Sequence, residues 1–360
     1  MRKGVPVRPE IRALRAYALV PESPVPVRAK LDFNESPFDV PDEVKRRVTS
    51  RLLARRWALY PEFGAGRLKR AIAVSSGRRA DEILVGNGSG EVILAALGVF
   101  AGGGGTVVLT PPTFSLYPQL AAIAGARIVE VPLSGDDFAF DEEGLLSAVR
   151  ANPGAVPLLC SPNNPTGGTA RPEFLRRLAA SAPVLLVDQA YVDFAPEEAN
   201  ALPLVTECGN VVVFRTLSKA FSAAGFRIGY AVASPDVASE IGKAILPFNV
   251  DLASEELAVA LLEDPLPAKA RVAEIVAERG RVVEELRALG AKVAPAAGNF
   301  LFVAPPRGGA EAVRAALLGR GVLVRDLGAS APGRLRVTVG RREENDLFLA
   351  EFSRAVKEAT

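Results

Sequence analysis

From residue 80 to residue 233 the chain alternates short apolar runs with longer segments whose apolar positions recur at helical spacing. The runs EILVG, TVVLT, RIVEVPL, AVPLLC, PVLLV, VVVF and RIGYAVA carry few polar positions and many β-branched residues, so they are expected to be short strands, with TVVLT buried. Helices are expected over Pro41–Arg56, Arg67–Ser76, the segment GEVILAALGVF, the segment opened by PPTFSLYPQL, Asp141–Arg150 and Arg171–Ala180. Strand and helix in alternation predict an α/β fold, a large domain with a mostly parallel sheet flanked by helices. In such sheets ligands gather beyond the carboxyl ends of the strands.

The pattern changes after residue 246. Helices are expected at Ser254–Leu262, Pro267–Leu289, Glu311–Leu318 and the C-terminus, with strands at NFLFVA, VLVRD and RLRVTV. This predicts a smaller α+β domain over 247–360, beside a large domain over 36–246. The proline-broken residues 1–35 read as an arm, with a short helical pattern in IRALRAYALV.

Composition narrows the chemistry. The chain has 360 residues, 49% of them hydrophobic, and a net charge of +2 with the two signs interspersed. Neither a nucleic-acid nor a membrane partner is implied. No apolar run approaches the roughly 18 residues of a membrane span, and the N-terminus MRKGVPVRPE has no apolar leader segment, so a cytoplasmic location is expected. Histidine is absent, which removes Ser-His and Cys-His triads and the commonest zinc ligand. Cys160 and Cys208 share no motif and read as buried small residues. A metal-free protein is expected, with acid–base work left to Lys, Tyr, Asp or Glu.

Against that background one lysine stands out. Only nine of the 43 basic residues are lysine, and Lys219 is alone between Lys69 and Lys243. It sits in TLSKAFSAAGFR, between two apolar runs. Lysine can lose its proton and attack a carbonyl, whereas guanidinium stays charged. Lys219 therefore reads either as an ordinary ion-paired lysine or as a Schiff-base lysine. The second reading demands partners, and candidates stand at other strand ends. Asp188 closes VLLVD and is either a turn cap or the partner of a pyridine nitrogen. Tyr191 is either core or a donor to a ring oxygen, and Asn164 in SPNNPTGG is a turn residue that can join it. GNGSGEVI is a glycine turn opening a helix, whose backbone N–H groups can bind a phosphate, or in which Ser89 is simply the helix N-cap. Phe114 either fills core or stacks on a ring. Thr216, Ser218 and Arg227 surround the same phosphate on this reading. Arg325 and Arg336 lie on strands and either face solvent or bind a carboxylate or phosphate.

These motifs, in this order, resemble the fold-type I pyridoxal phosphate aminotransferases. YPE at Tyr60, GNGSGE, PPTFSLY, SPNNPTG, VDQAYVDF, TLSKAFSAAGFRIGY, AGNFLFV, VLVRD and LRVTVGRREEND run through nearly the whole chain. The N-terminal IRALRAY and LDFNESP and the C-terminal strings are most similar to the histidinol-phosphate aminotransferase branch. The resemblance implies ping-pong transamination between L-histidinol phosphate and 2-oxoglutarate or glutamate, with pyridoxal 5'-phosphate as cofactor. It implies that Lys219 binds the cofactor and moves the proton, and that Asp188 pairs with the ring nitrogen. Tyr191 and Asn164 bind the ring oxygen and Phe114 stacks on the ring. The backbone at Ser89 and Gly90, with Thr216, Ser218 and Arg227, holds the phosphate. It further implies a homodimer, with Tyr60 reaching the neighbouring site and the arm packing on the small domain and the partner subunit. Tyr17, Asn34, Asn164, Arg325 and Arg336 are the implied substrate contacts. Gly90 stands where the family commonly has Asp, Gln189 where Glu is usual, and Ser36 in a string usually written NEN. An aromatic or broad-specificity aminotransferase and a phospho-amino-acid decarboxylase on the same scaffold are the competing enzyme readings.

Overall fold

The computed structural model describes residues 5–14 and 23–358. The strands in chain order are β1 (Ala29–Leu31), β2 (Ile83–Asn87), β3 (Thr106–Leu109), β4 (Arg127–Glu130), β5 (Val156–Cys160), β6 (Leu185–Asp188), β7 (Val211–Thr216), β8 (Ile228–Val232), β9 (Lys292–Val293), β10 (Phe300–Ala304), β11 (Val322–Asp326) and β12 (Leu335–Thr338). They form two sheets. The larger has seven strands in the order β2-β8-β7-β6-β5-β3-β4. All neighbours are parallel except β8, which is antiparallel to both β2 and β7.

Alternate residues of the central strands feed two different cores. Val85, Leu159, Val187 and Val213 face one layer, while Leu84, Leu158, Leu186, Val212 and Phe214 face the other. The first layer is covered by helices Asp42–Leu53, Gly66–Ser76, Glu142–Ala151 and Pro172–Ser181, and the second by Ser89–Phe100, Tyr117–Ala124 and Pro235–Gly242. Burial on both faces is why these strands read as unbroken apolar runs.

The second sheet has the order β1-β11-β12-β10-β9. It packs with helices Leu266–Ala288, Gly309–Leu318 and Arg342–Glu358 around Phe300, Val303, Val337, Phe348 and Phe352. The arm supplies β1, which pairs in parallel with β11 through Ala29↔Val322 and Leu31↔Val324. A three-residue strand has no readable period, so only its partner makes it a strand; β9 and the helices Leu202–Cys208 and Pro235–Gly242 were also not anticipated.

Helix Leu252–Glu263, assigned by sequence to the smaller domain, packs on helices Asp42–Leu53 and Gly66–Ser76 in the large-domain core. It is buried continuously from Ser254 to Leu262, and its buried Glu256 pairs with Arg67 and, at 3.3 Å, with Arg55. The next helix, Leu266–Ala288, packs instead on the second sheet through Ile275, Val282 and Leu286.

Candidate active site

The loops after β2, β3, β5, β6 and β7 all emerge at one edge of the large sheet. Because β8 runs backwards, its entrance lies at that same edge and delivers Arg227 there. A cavity of about 250 Å³ opens at this edge, lined by Ser89, Phe114, Asn164, Asp188, Tyr191, Thr216, Ser218, Lys219, Arg227 and Arg336, with Phe33 and Cys160. Ten of the residues singled out by sequence thus meet in one space, from both domains.

Lys219 is half-buried, and its Nζ donates to the carbonyl of Phe33 at 3.1 Å. Its pKa is pushed down to about 7, first by burial, then by the charge of Arg336, with smaller contributions from Arg227 and Lys30; Glu35 opposes. Asp188 is buried at 3% exposure. The Tyr117 hydroxyl donates to its Oδ2 at 2.7 Å and the Ala190 N–H to its Oδ1 at 3.0 Å. Burial raises the Asp188 pKa, and those two hydrogen bonds oppose the rise. No cation lies within ion-pairing distance of it among the described residues.

Tyr191 sits where two amides converge. Asn34 Nδ2 donates to its hydroxyl at 3.1 Å and Asn164 Nδ2 at 3.3 Å. With both acceptor positions filled, the hydroxyl proton points elsewhere as a donor. Burial pushes its pKa up to about 12, so it stays neutral. Arg336, buried on β12, donates from Nη1 to Asn164 Oδ1 at 2.8 Å and from Nη2 to the Asp32 carbonyl at 2.5 Å. That bond fixes which end of the Asn164 amide faces Tyr191. Arg336 is therefore not the solvent-facing strand residue its pattern also allowed.

At the other end, helix Ser89–Phe100 begins just past Gly88, which has φ +82° and is the N-cap residue. Ser89 is thus the first helical residue and not the cap. A Cβ on Gly88 would lie 2.5 Å from Arg227 Nη2, so the guanidinium rests directly over the turn. Gly229 of β8 approaches even closer, and a Cβ there would fall 1.9 Å from the Ser89 nitrogen. Glu91 closes the turn, accepting from the Asn87 N–H at 2.5 Å and Asn249 Nδ2 at 2.9 Å. Across the space, Thr216 Oγ1 donates to the Ile228 carbonyl at 2.8 Å and lies 2.9 Å from Ser218 Oγ.

Arg325 faces its register partner Arg336 and lines an adjoining cavity of about 520 Å³ that shares Phe114, Asn164 and Arg336. Gly90 leaves that helix terminus open, since a Cβ there would meet only Leu116, at 3.6 Å. Gln189 is buried and ties the chain behind Asp188, donating to the Ala199 carbonyl at 2.6 Å and accepting from the Ala201 N–H at 3.0 Å. Tyr60 is elsewhere, 81% exposed and stacked on Phe248 at 4.7 Å. Tyr17 lies outside the described residues. Sequence reasoning overlooked Tyr117 and the carbonyls of Phe33 and Asp32. Tyr117 could have been suspected from its place three residues after Phe114 on an apolar helix; nothing in the sequence marks a carbonyl.

Residues 28–352 match the family Aminotransferase class I and II. Curated relatives include a histidinol-phosphate aminotransferase of Gloeobacter violaceus, 39% identical over 96% of each chain. Another is that of Thermococcus kodakarensis, 36% identical over 95% of this chain and 96% of the relative. Among solved structures, histidinol-phosphate aminotransferase from Sinorhizobium meliloti in complex with pyridoxal-5'-phosphate superposes with a TM-score of 0.87, at 25% identity over 100% of both chains.

Proposed function

As the chain belongs to the class I and II aminotransferases, we propose that it exchanges an amino group between L-histidinol phosphate and 2-oxoglutarate, using pyridoxal phosphate. The observation that carries this reading is the single cavity joining Lys219, Asp188, Tyr191 and Arg227.

The residues fit the cofactor at both ends. Asp188 is a buried carboxylate with two neutral donors and no cationic partner among the described residues, a group that a protonated ring nitrogen would neutralise. The helix start at Ser89, the Arg227 guanidinium and the hydroxyls of Thr216 and Ser218 make a cradle for a dianion. Bound pyridoxal phosphate supplies an electron sink for the substrate's Cα and carries the amino group between the half-reactions.

The chain's own residues do the rest. Lys219, with an amine poised near neutrality, would hold the cofactor carbon until the substrate's amine displaces it, and its freed amine would then move the proton between the substrate's Cα and the cofactor carbon. Asp188 holds the ring nitrogen's charge. Tyr191 and the Asn164 amide face the ring oxygen as donors, and Phe114 covers one side of the cavity. Arg336 takes the substrate's carboxylate or phosphate, and Arg325, beyond it, widens that positive end. Asn34 positions Tyr191.

The partner is a second copy of this chain. Trp57, Leu59, Tyr60 and Phe63 are large apolar side chains 54–81% exposed in one segment, and Tyr60 would cross to the neighbouring site. No helix among the described residues is long and apolar enough to cross a membrane. On this reading the enzyme works in the cytoplasm, with its phosphorylated substrate.

The test is the visible spectrum of the cofactor-loaded protein. L-histidinol phosphate should discharge the cofactor band and 2-oxoglutarate should restore it. A band that ignores histidinol phosphate but responds to phenylalanine would replace the substrate, and carbon dioxide release without a 2-oxoacid would replace the reaction.

A further inference from the structure

A second cavity, of about 470 Å³, lies on the far side of the Lys219 loop. Ala220 and Phe221, the two residues after Lys219, form one wall. The end of helix Gly66–Ser76 forms another, and Leu262, Pro265 and the first turns of helix Leu266–Ala288 close it. The cavity therefore spans the junction where the large-domain core ends and the small-domain helix begins. None of the cofactor or substrate residues assigned above lines it.

Its charges are unusual for an unused space. Arg215 and Lys269 bring two cations and Asp193 one anion, between apolar surfaces from Phe221, Leu262 and Val272. The Arg215 guanidinium donates from Nη2 to Asn200 Oδ1 at 2.7 Å and to Gln189 Oε1 at 3.5 Å, both neutral amides. Its charge is not compensated by a carboxylate within 4.0 Å among the described residues; the Asp193 carboxylate acts on it only from further off. Had residue 189 been Glu, that charge would be spent in an ion pair. With Gln189 the guanidinium is held by neutral groups and lines the cavity beside Tyr230.

We propose that this cavity binds a free α-amino acid with an apolar side chain. A zwitterion matches the wall: its carboxylate meets Arg215 and Lys269, its ammonium meets Asp193, and its side chain covers Phe221, Leu262 and Val272. The volume lies within the ordinary range of small-molecule sites. The occupant touches both the segment following the active-site lysine and the helix leading into the small domain.

The experiment titrates L-leucine into the cofactor-loaded enzyme by calorimetry while the cofactor absorbance is followed. Saturable binding with an unchanged spectrum is expected. Leucinamide, which lacks the carboxylate, and 4-methylpentanoate, which lacks the ammonium, should each bind at least ten-fold more weakly. Lys269 is exposed, so Lys269→Glu should fold, keep its basal turnover and bind leucine at least ten-fold more weakly. Ala268→Trp, which fills the cavity, should abolish binding. No saturable heat, binding that alters the cofactor spectrum, or affinity unchanged in Lys269→Glu would each overturn the proposal. The transamination reading is tested separately by histidinol phosphate and survives any of these results.

Discussion

The amine of Lys219 has a backbone carbonyl as its hydrogen-bond partner, and positive charges outnumber negative ones around it. Its pKa falls to about 7 from the ordinary 10.5. Only the neutral amine attacks a carbonyl, so covalent capture of pyridoxal phosphate by the cofactor-free enzyme should accelerate with pH through a midpoint near 7. A midpoint near 10 in stopped-flow absorbance would contradict this. The stability consequence has a definite sign. Between pH 7 and 10.5 the unfolded chain holds a proton on Lys219 that the folded chain has lost. Cofactor-free stability from this group therefore rises across that window, and its full cost is felt below pH 7. Lys219→Ala should lower turnover by roughly 10³-fold or more, the scale of a lost proton-transfer group. Tyr117 belongs to the same scale. Tyr117→Phe removes a hydrogen bond to a carboxylate, which should weaken cofactor binding on the order of ten-fold. Equilibrium dialysis of wild type against Tyr117→Phe checks it.

At the scale of elements, the reversed strand β8 does two things that a parallel strand would not. It returns the chain from Lys219 to the sheet after a loop, and it starts at the ligand edge, so Arg227 arrives beside Ser89. The close approach of Gly229 to the Ser89 nitrogen locks β8 against the cradle helix. Gly229→Ala should therefore cost about 1–3 kcal/mol, the usual penalty of overpacking. Urea unfolding would show the loss, and the phosphate end of the site should loosen with it. Alternation along the chain made the layered strands legible, since each was long enough and apolar enough to be read alone. β1 was not legible because AKL becomes a strand only beside β11. Helix Leu252–Glu263 was legible as a helix but not as a member of the large-domain core, because a helix buried all round shows no face that names its neighbour.

At the scale of the molecule, the catalytic cavity is closed by both domains. Lys219, Asp188 and Tyr191 come from the large sheet, and Arg336 comes from the small one, yet Arg336 donates directly to Asn164. On the homodimer proposed above, the exposed apolar segment around Tyr60 would meet the second subunit. Leu59→Glu places a charge in that segment and should convert a dimer to a monomer in sedimentation velocity, with turnover falling in parallel. A variant that stays dimeric and active would assign the subunit contact to another surface.

The amino-acid sequence by itself determined the α/β architecture, named the strand-end residues that the fold gathers in one cavity and marked the singularity of Lys219, because periodicity and residue type are local properties of a chain. Ordered motifs also pointed to the aminotransferase family. Tertiary structure alone decided the packing of helix Leu252–Glu263, the burial of Arg336, the hydrogen bond of Tyr117 to Asp188 and the two carbonyls that anchor Lys219 and Arg336. Each depends on residues brought together across long sequence separations: 71 positions from Tyr117 to Asp188, 186 from Phe33 to Lys219 and 304 from Asp32 to Arg336. A backbone carbonyl is the same in every residue, so only the fold can single one out as a partner.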